Sequence, residues 1–476
     1  MLEFEYDDDA DEPNRQELDE TLRRFRESYR SGNWQQGRPT AEALETIVHY
    51  CLDTQKFEDA LTFARMWREV APYSADAWHK EGIALGSLGR WDEALTAYIG
   101  AAELDPVDVE IVVNSGIALE QLGRLDEATF YIERALRTDP ENPDALFTKA
   151  MILEKRERFD EAVRIFTYLS RLETYQRDAL FEIAFCQEHQ EKFDDALMTY
   201  ERLVDSDPFD ANAWFNKGVI QGRKGAHRAA VEAYEFAVAI KPDFVNAWYN
   251  MGNAMAACGK LDASIEAYEQ AHRHDPLDLQ VVHNLATSLE ERGSFAEAIA
   301  MFSKVLTIDA EHVPSLYGRG TCYDALEQYE AALADYESAL SLDPGHADLW
   351  YAKGDALYNS GNLADSIECY RKVVELQEVD LECWFDLGST YLEAGEPFEA
   401  LKAFTEVIKI DPESVSAYWA SAKALVALDQ LDLAVPYLEQ AFEQDPRRKE
   451  TFEAEFSVLT TPEKFLSLQN DLKLTQ

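Results

Sequence analysis

Seven amide side chains fall in three groups, Asn212 with Asn216, Asn246 with Asn250 and Asn253, and Gln280 with Asn284, and the first members are 34 residues apart. An amide both donates and accepts, so a row of them can satisfy the backbone of an extended peptide without reading its sequence. The residue types that carry catalysis lack comparable company. Between Gly252 and Lys260 the glycine spacing is too long for a phosphate-binding loop, and Leu261 stands where a Ser or Thr is needed. Gly318 and Gly320 are followed by Tyr323 rather than a third glycine, with no strand before them, so dinucleotide binding has no support. No GxSxG or HExxH occurs. His272 and His274 are neighbours, but alternate residues of a helix face different ways. Six cysteines (Cys51, Cys186, Cys258, Cys322, Cys369, Cys383) form no CxxC pair, which argues against zinc or a disulfide framework and for small core residues. Recognition is expected, with no enzyme activity, metal or cofactor.

The amide spacing belongs to a longer rhythm. Trp78, Trp214, Trp248, Trp350 and Trp384 are separated by multiples of 34 residues, which places repeat starts at Ala41, Ala75, Val109, Pro143, Arg177, Ala211, Val245, Leu279, Val313, Ala347, Leu381 and Val415. Twelve units thus run from 41 to 448 without insertion or deletion. Numbering the units 1 to 12 and the places within each 1 to 34, place 8 is small in all but one, as in Gly82, Gly218, Gly252 and Gly354, and place 20 is Ala or Ser throughout. Two close approaches of backbone are expected there. Gly89, Gly123, Gly225, Gly259, Gly293, Gly361 and Gly395 mark a turn between these places, where a left-handed residue can end a helix. Apolar residues recur at helical spacing on both sides, as in Trp248, Met251 and Met255, then Ile265, Tyr268 and Ala271. Proline closes nine of the units, with Thr174, Ala310 and Glu378 in the other three, because it starts a helix but cannot sit inside one. Each unit reads as two antiparallel helices.

This order of large apolar, small, small, aromatic, small and proline places resembles the tetratricopeptide repeat family. The resemblance implies an all-α protein, an α-solenoid (right-handed superhelix) of about twelve 34-residue helix-turn-helix units with capping helices, and a binding role. It also implies that places 2, 5, 6, 9, 12 and 13 of each first helix point into a concave face. Along those places the chain offers an aromatic stripe at place 5, from His79 and Phe147 through Phe181 and Tyr351 to Trp419. The stripe has two readings: contact area and cation–π faces for a partner, or rings half packed between neighbouring units. Acids fill places 2 and 12, among them Asp144, Asp178, Asp348 and Glu382, then Glu120, Glu154, Glu188, Glu290 and Asp324. The amides replace acids in units 6 to 8. The expected peptide-binding residues are therefore Asn212, Phe215, Asn216, Asn246, Tyr249, Asn250, Asn253, Gln280, His283 and Asn284, with Lys217 and Arg223 nearby as anion contacts. A carboxylate clamp for chaperone tails is disfavoured, since place 5 never holds Lys and only Asn253 fills place 9 with Asn.

Charge narrows the partner. The 476 residues carry a formal net charge of −47, of which residues 1–12 supply only seven acids, so the repeats themselves are acidic. Such a surface repels nucleic acid and anionic membranes and attracts basic proteins, although the same acidity serves solubility. The expected partner is a protein presenting a peptide or a helix, with a basic one favoured by the charge, and with no nucleic acid and no membrane insertion; self-association is left open. The alternative reading is a regulatory subunit that docks on an enzyme or secretion machine through its acidic surface or N-terminal tail. No apolar run reaches the ~18 residues of a membrane span, and the N-terminus has acids where a secretory signal needs bases, so a cytoplasmic location is expected. The ends are read as an acidic disordered tail at 1–13, a capping helix and loop at 14–40, with Leu18, Leu22, Phe25 and Tyr29 on one stripe, and capping helices at 449–476.

Overall fold

The computed structural model describes residues 19–20, 22–23, 26–27, 39–377 and 379–473. The expected acidic tail lies outside them, as do Gly32, Asn33 and Gly37 of the expected loop and Glu378 at one unit end. Among the described residues there are 26 helices, and 24 of them are the paired helices of the twelve repeats. Eleven first helices begin at the residue that the repeat register predicts. In seven of them a local cause is a side-chain oxygen of the residue just before the start. The side chains of Thr40, Ser74, Asp108, Asn142, Asp210, Asp278 and Asp380 accept hydrogen bonds from backbone N–H groups in the first turn that no helical carbonyl can reach.

Repeat 5 departs from the register. Its first helix spans Glu173–His189 instead of starting at Arg177, and the preceding helix, Phe159–Leu169, is three residues shorter than its counterparts. Gln176 stands where most repeats hold a short capping side chain, and Thr174 where most hold proline. With neither a side chain to stop the helix nor a ring to break it, the chain turns earlier and the helix extends backwards.

Place 15 ends the first helix in every repeat with a left-handed residue. Seven are glycines with φ from 70° to 86°, and the other five are Gln55, Glu157, Glu191, Glu327 and Asp429, with φ from 55° to 61°. The small place 8 faces a bulky place 24: a Cβ on Gly252 would sit 2.6 Å from Tyr268 Cε1, and one on Gly218 2.6 Å from Tyr234 Cε1. The helix pair of each repeat therefore closes because one side lacks a side chain. Tryptophan ties one repeat to the next. Nε1 of Trp78, Trp214, Trp248 and Trp350 donates to the carbonyl of the proline six residues earlier, at 2.8–3.2 Å.

The chain forms two compact units, Met1–Ile240 and Lys241–Gln476. In the first, one apolar core links residues from Leu22 to Ile152 and a second those from Ala150 to Ile220. Leu22 is buried, and Arg26 pairs with Asp59 and Lys56 with Asp19, which holds the described helical residues 19–20, 22–23 and 26–27 against repeat 1. In the second unit, the helices Arg448–Phe456 and Pro462–Asp471 lay Phe452, Phe456, Phe465 and Leu468 against Trp419, Leu438 and Phe442 of repeat 12. Five of the six cysteines are buried and all are free thiols.

Candidate peptide-binding face

The first helices of repeats 4 to 6, all in the first unit, frame a cleft of about 460 Å³. Phe147 comes from repeat 4, Asp178, Phe181 and Glu182 from repeat 5, and Asn212 and Asn216 from repeat 6. Asn212 is exposed and Asn216 half-buried, near the Tyr200 hydroxyl. Arg177 also borders the cleft, but its charge is engaged: its guanidinium lies 2.8 Å from the buried Asp210 carboxylate and over the Phe181 ring at 5.0 Å. Of the expected anion contacts, Lys217 pairs with Glu201 at 3.6 Å and Arg223 with Glu188 at 2.8 Å, so both have acidic partners already.

In the second unit the amides divide. Asn246 and Gln280 are exposed, and Asn250 is half-buried. Asn253 and Asn284 instead serve the fold. The Tyr268 hydroxyl donates to Asn253 Oδ1 at 2.6 Å, while Asn284 Nδ2 donates to the same oxygen at 3.1 Å and to the Tyr249 hydroxyl at 3.0 Å. Those two amides join repeat 7 to repeat 8, which the regular spacing in sequence conceals. His283 has a hydrogen bond between Nδ1 and Ser315 Oγ at 3.0 Å, and burial lowers its affinity for a proton.

Of the place-5 rings His79 and Trp419 are buried, and those from Phe147 to Phe385 are half-buried. Ring centroids lie 5.3 Å apart for Phe147 and Phe166, 5.9 Å for Phe215 and Tyr234, and 6.0 Å for Tyr249 and Tyr268. Each of these three leans on the bulky residue at place 24 of its own repeat, while the Tyr249 and Tyr351 hydroxyls also bond to side chains of the next repeat.

Acidic side chains fall into two electrostatic classes. Among the described residues five carboxylates are buried, and four meet a cation: Glu81 with Arg65 and Arg68, Glu120 with Lys155, Asp210 with Arg177, and Asp335 with Arg319. Glu154 is the fifth. Its neighbours are the Cys186 thiol, which donates to it at 3.6 Å, and the Glu182 carboxyl. Burial, then Glu182, pushes Glu154 well above the ordinary carboxylate range, and burial pushes Glu182 the same way. Further along, burial raises Glu290 to about 7 and Asp355 to about 6, and it raises Asp324 and Asp386 as well. Tyrosine hydroxyls rather than cations meet two of these: Tyr370 donates to Asp355 at 2.5 Å and Tyr351 to Asp386 at 2.6 Å. The signal for the buried pair was weak in sequence, because Glu154 and Glu182 occupy different places in different repeats. Among the described residues, no three His, Cys, Asp or Glu side chains are grouped to hold a metal, and no helix is long and apolar enough to cross a membrane.

Helix pairs of constant length, joined by left-handed turns and closed by a small-against-aromatic contact, define a helical-repeat protein. Family models described as tetratricopeptide repeat match residues 79–131, 189–243 and 317–380, then 245–278, 279–312 and 391–451. The chain belongs to the tetratricopeptide repeat family, whose proteins mediate protein–protein interactions and are typically non-enzymatic scaffolds. Residues 121–203 also match the family described as anaphase-promoting complex, cyclosome, subunit 3. No curated protein matches the chain. Among solved structures it is similar to the hetero-tetramer Cut9–Hcn1 of that complex, with 15% identity, TM-score 0.39, and 81% of this chain and 96% of that one covered. YrrB, described as having an unusual peptide-binding site, shows 18% identity and TM-score 0.35 over 38% of this chain and 92% of its own. The C-terminal part of a repeat protein from Cytophaga hutchinsonii shows 15% identity and TM-score 0.45 over 50% of this chain and 98% of that one.

Proposed function

We propose that this protein is a non-enzymatic scaffold that binds a peptide or helix of a partner protein on the face formed by its first helices, with the amides between 212 and 284 as the principal contacts. The observation that carries this reading is the cleft over repeats 4 to 6, where Asn212 and Asn216 stand beside the rings of Phe147 and Phe181. Aromatic faces supply contact area at little cost in conformational entropy, and amides pair with either group of a peptide bond. Asn246, Asn250 and Gln280 offer the same chemistry in the second unit, where Asn253 and Asn284 support the helices that carry them. Asn212, Asn216, Asn246, Asn250 and Gln280 replaced together by alanine should lose capture of the partners that the wild-type chain retains from a native extract. Capture of the same set in the same yield would refute the reading.

A further inference from the structure

At the cleft over repeats 4 to 6 a carboxyl beside the open face has no ion pair with a cation among the described residues. Among the described residues four of the five buried carboxylates pair with a cation from the chain itself, and Glu154 has another carboxyl, Glu182, beside it. Glu182 borders the open cleft, with the more exposed Asp178 four residues before it on the same helix and 3.6 Å from the Arg177 guanidinium, whose stronger contact is with Asp210. Residues four apart lie on one face of a helix, so the two carboxylates can address one group. Phe147 and Phe181 form aromatic walls, and the amides of repeat 6 stand opposite.

We propose that this cleft receives the cationic side chain, arginine or lysine, of a bound protein segment. The inference rests on the reading that the first-helix face binds a partner, and it assigns the chemistry that this part of the face selects. The alkyl stem lies against the rings of Phe147 and Phe181, and the charged head reaches Glu182 and Asp178. Asn212 and Asn216 hold the backbone that carries it. Arg177 demonstrates the geometry from inside the chain, since its guanidinium already stacks on Phe181 while it satisfies Asp210. A cation brought by a partner supplies a counter-charge for Glu182, which its neighbour Glu154 cannot give; Lys155, which also acts on Glu154, is paired with Glu120. The incoming cation does so in a half-desolvated setting where a charge-assisted contact is stronger than at an open surface. An anionic segment is disfavoured by the same groups.

Fluorescence anisotropy of a fluorescein-labelled hexaarginine peptide against the full chain, at fixed near-physiological salt, tests this. Glu182→Gln and Asp178→Asn remove charge in the cleft, and Glu235→Gln removes one charge from an exposed position of repeat 6. Glu182→Gln should weaken binding roughly tenfold and Asp178→Asn several-fold, with Glu235→Gln within about twofold of wild type. A uniform small loss in all three would show attraction to net charge alone and overturn the proposal. Hexacitrulline, neutral but similar in shape, should bind weakly and equally to every variant; binding as tight as hexaarginine would also overturn it. Should partner capture depend on the amides while hexaarginine ignores Glu182, only the cation pocket falls. The opposite pattern removes the amide reading and leaves the pocket.

Discussion

Glu154 shows what a single residue contributes. It is buried beside Glu182, and its folded-state pKa is raised, so its proton is held more tightly in the folded than in the unfolded chain. Stability from such a group is fully present below the ordinary carboxylate pKa and is lost as pH rises through the higher folded value. Glu154→Gln keeps the shape and removes the titration. Thermal melts between pH 5 and pH 8 should therefore show the variant gaining on wild type as pH increases, whereas parallel curves would mean that the pair is not strained. At this scale the inventory of groups was legible in the sequence and their wiring was not. Amides and acids lie on the helices expected of them, but Asn253 and Asn284 bond to each other and to tyrosines, and Lys217 and Arg223 are engaged by acids. Side chains separated by 15 to 35 residues decide those bonds, and no local pattern reports them.

At the scale of elements the sequence was far more legible, because helices form on local signals. An apolar stripe and a turn residue, joined in seven cases by a capping oxygen, placed the start of eleven of twelve first helices. The exception, Glu173–His189, follows from two missing signals at Thr174 and Gln176. The turn at place 15 is more uniform than its glycines suggested, since five side-chain-bearing residues adopt the same left-handed conformation. That conformation strains a residue with a Cβ by about 1–2 kcal/mol, part of which glycine gives back through the freedom it loses on folding. Glu327→Gly should therefore stabilise the chain by about 1 kcal/mol, read as a higher denaturant midpoint at unchanged slope. A lower midpoint would mean that the Glu327 side chain makes a contribution that outweighs its backbone strain.

For the whole molecule the governing quantity is charge. With 91 acids against 44 bases, repulsion among carboxylates opposes the folded state, and the many exposed ion pairs each return little. Raising salt from about 10 mM to about 150 mM shortens the screening length from roughly 30 Å to roughly 8 Å and should raise the melting temperature. A fall would mean that the ion pairs outweigh the repulsion. The same screening weakens attraction to a basic partner, so tighter folding and looser binding are expected together as salt increases.

The sequence by itself determined the repeat: its period, its two helices, the small places that let them meet and the family to which it belongs. These depend on residues near one another in the chain and on a hydrophobic pattern that recurs every 34 residues. Tertiary structure alone decided which polar side chains are used inside the fold and which remain open, because burial and counter-charge are set by neighbours distant in the chain, 15 to 35 residues away. Asn253 and Asn284 went one way, Asn212 the other. Glu154 and Glu182, two acids among many in the sequence, became a pair only when repeats 4 and 5 were packed together.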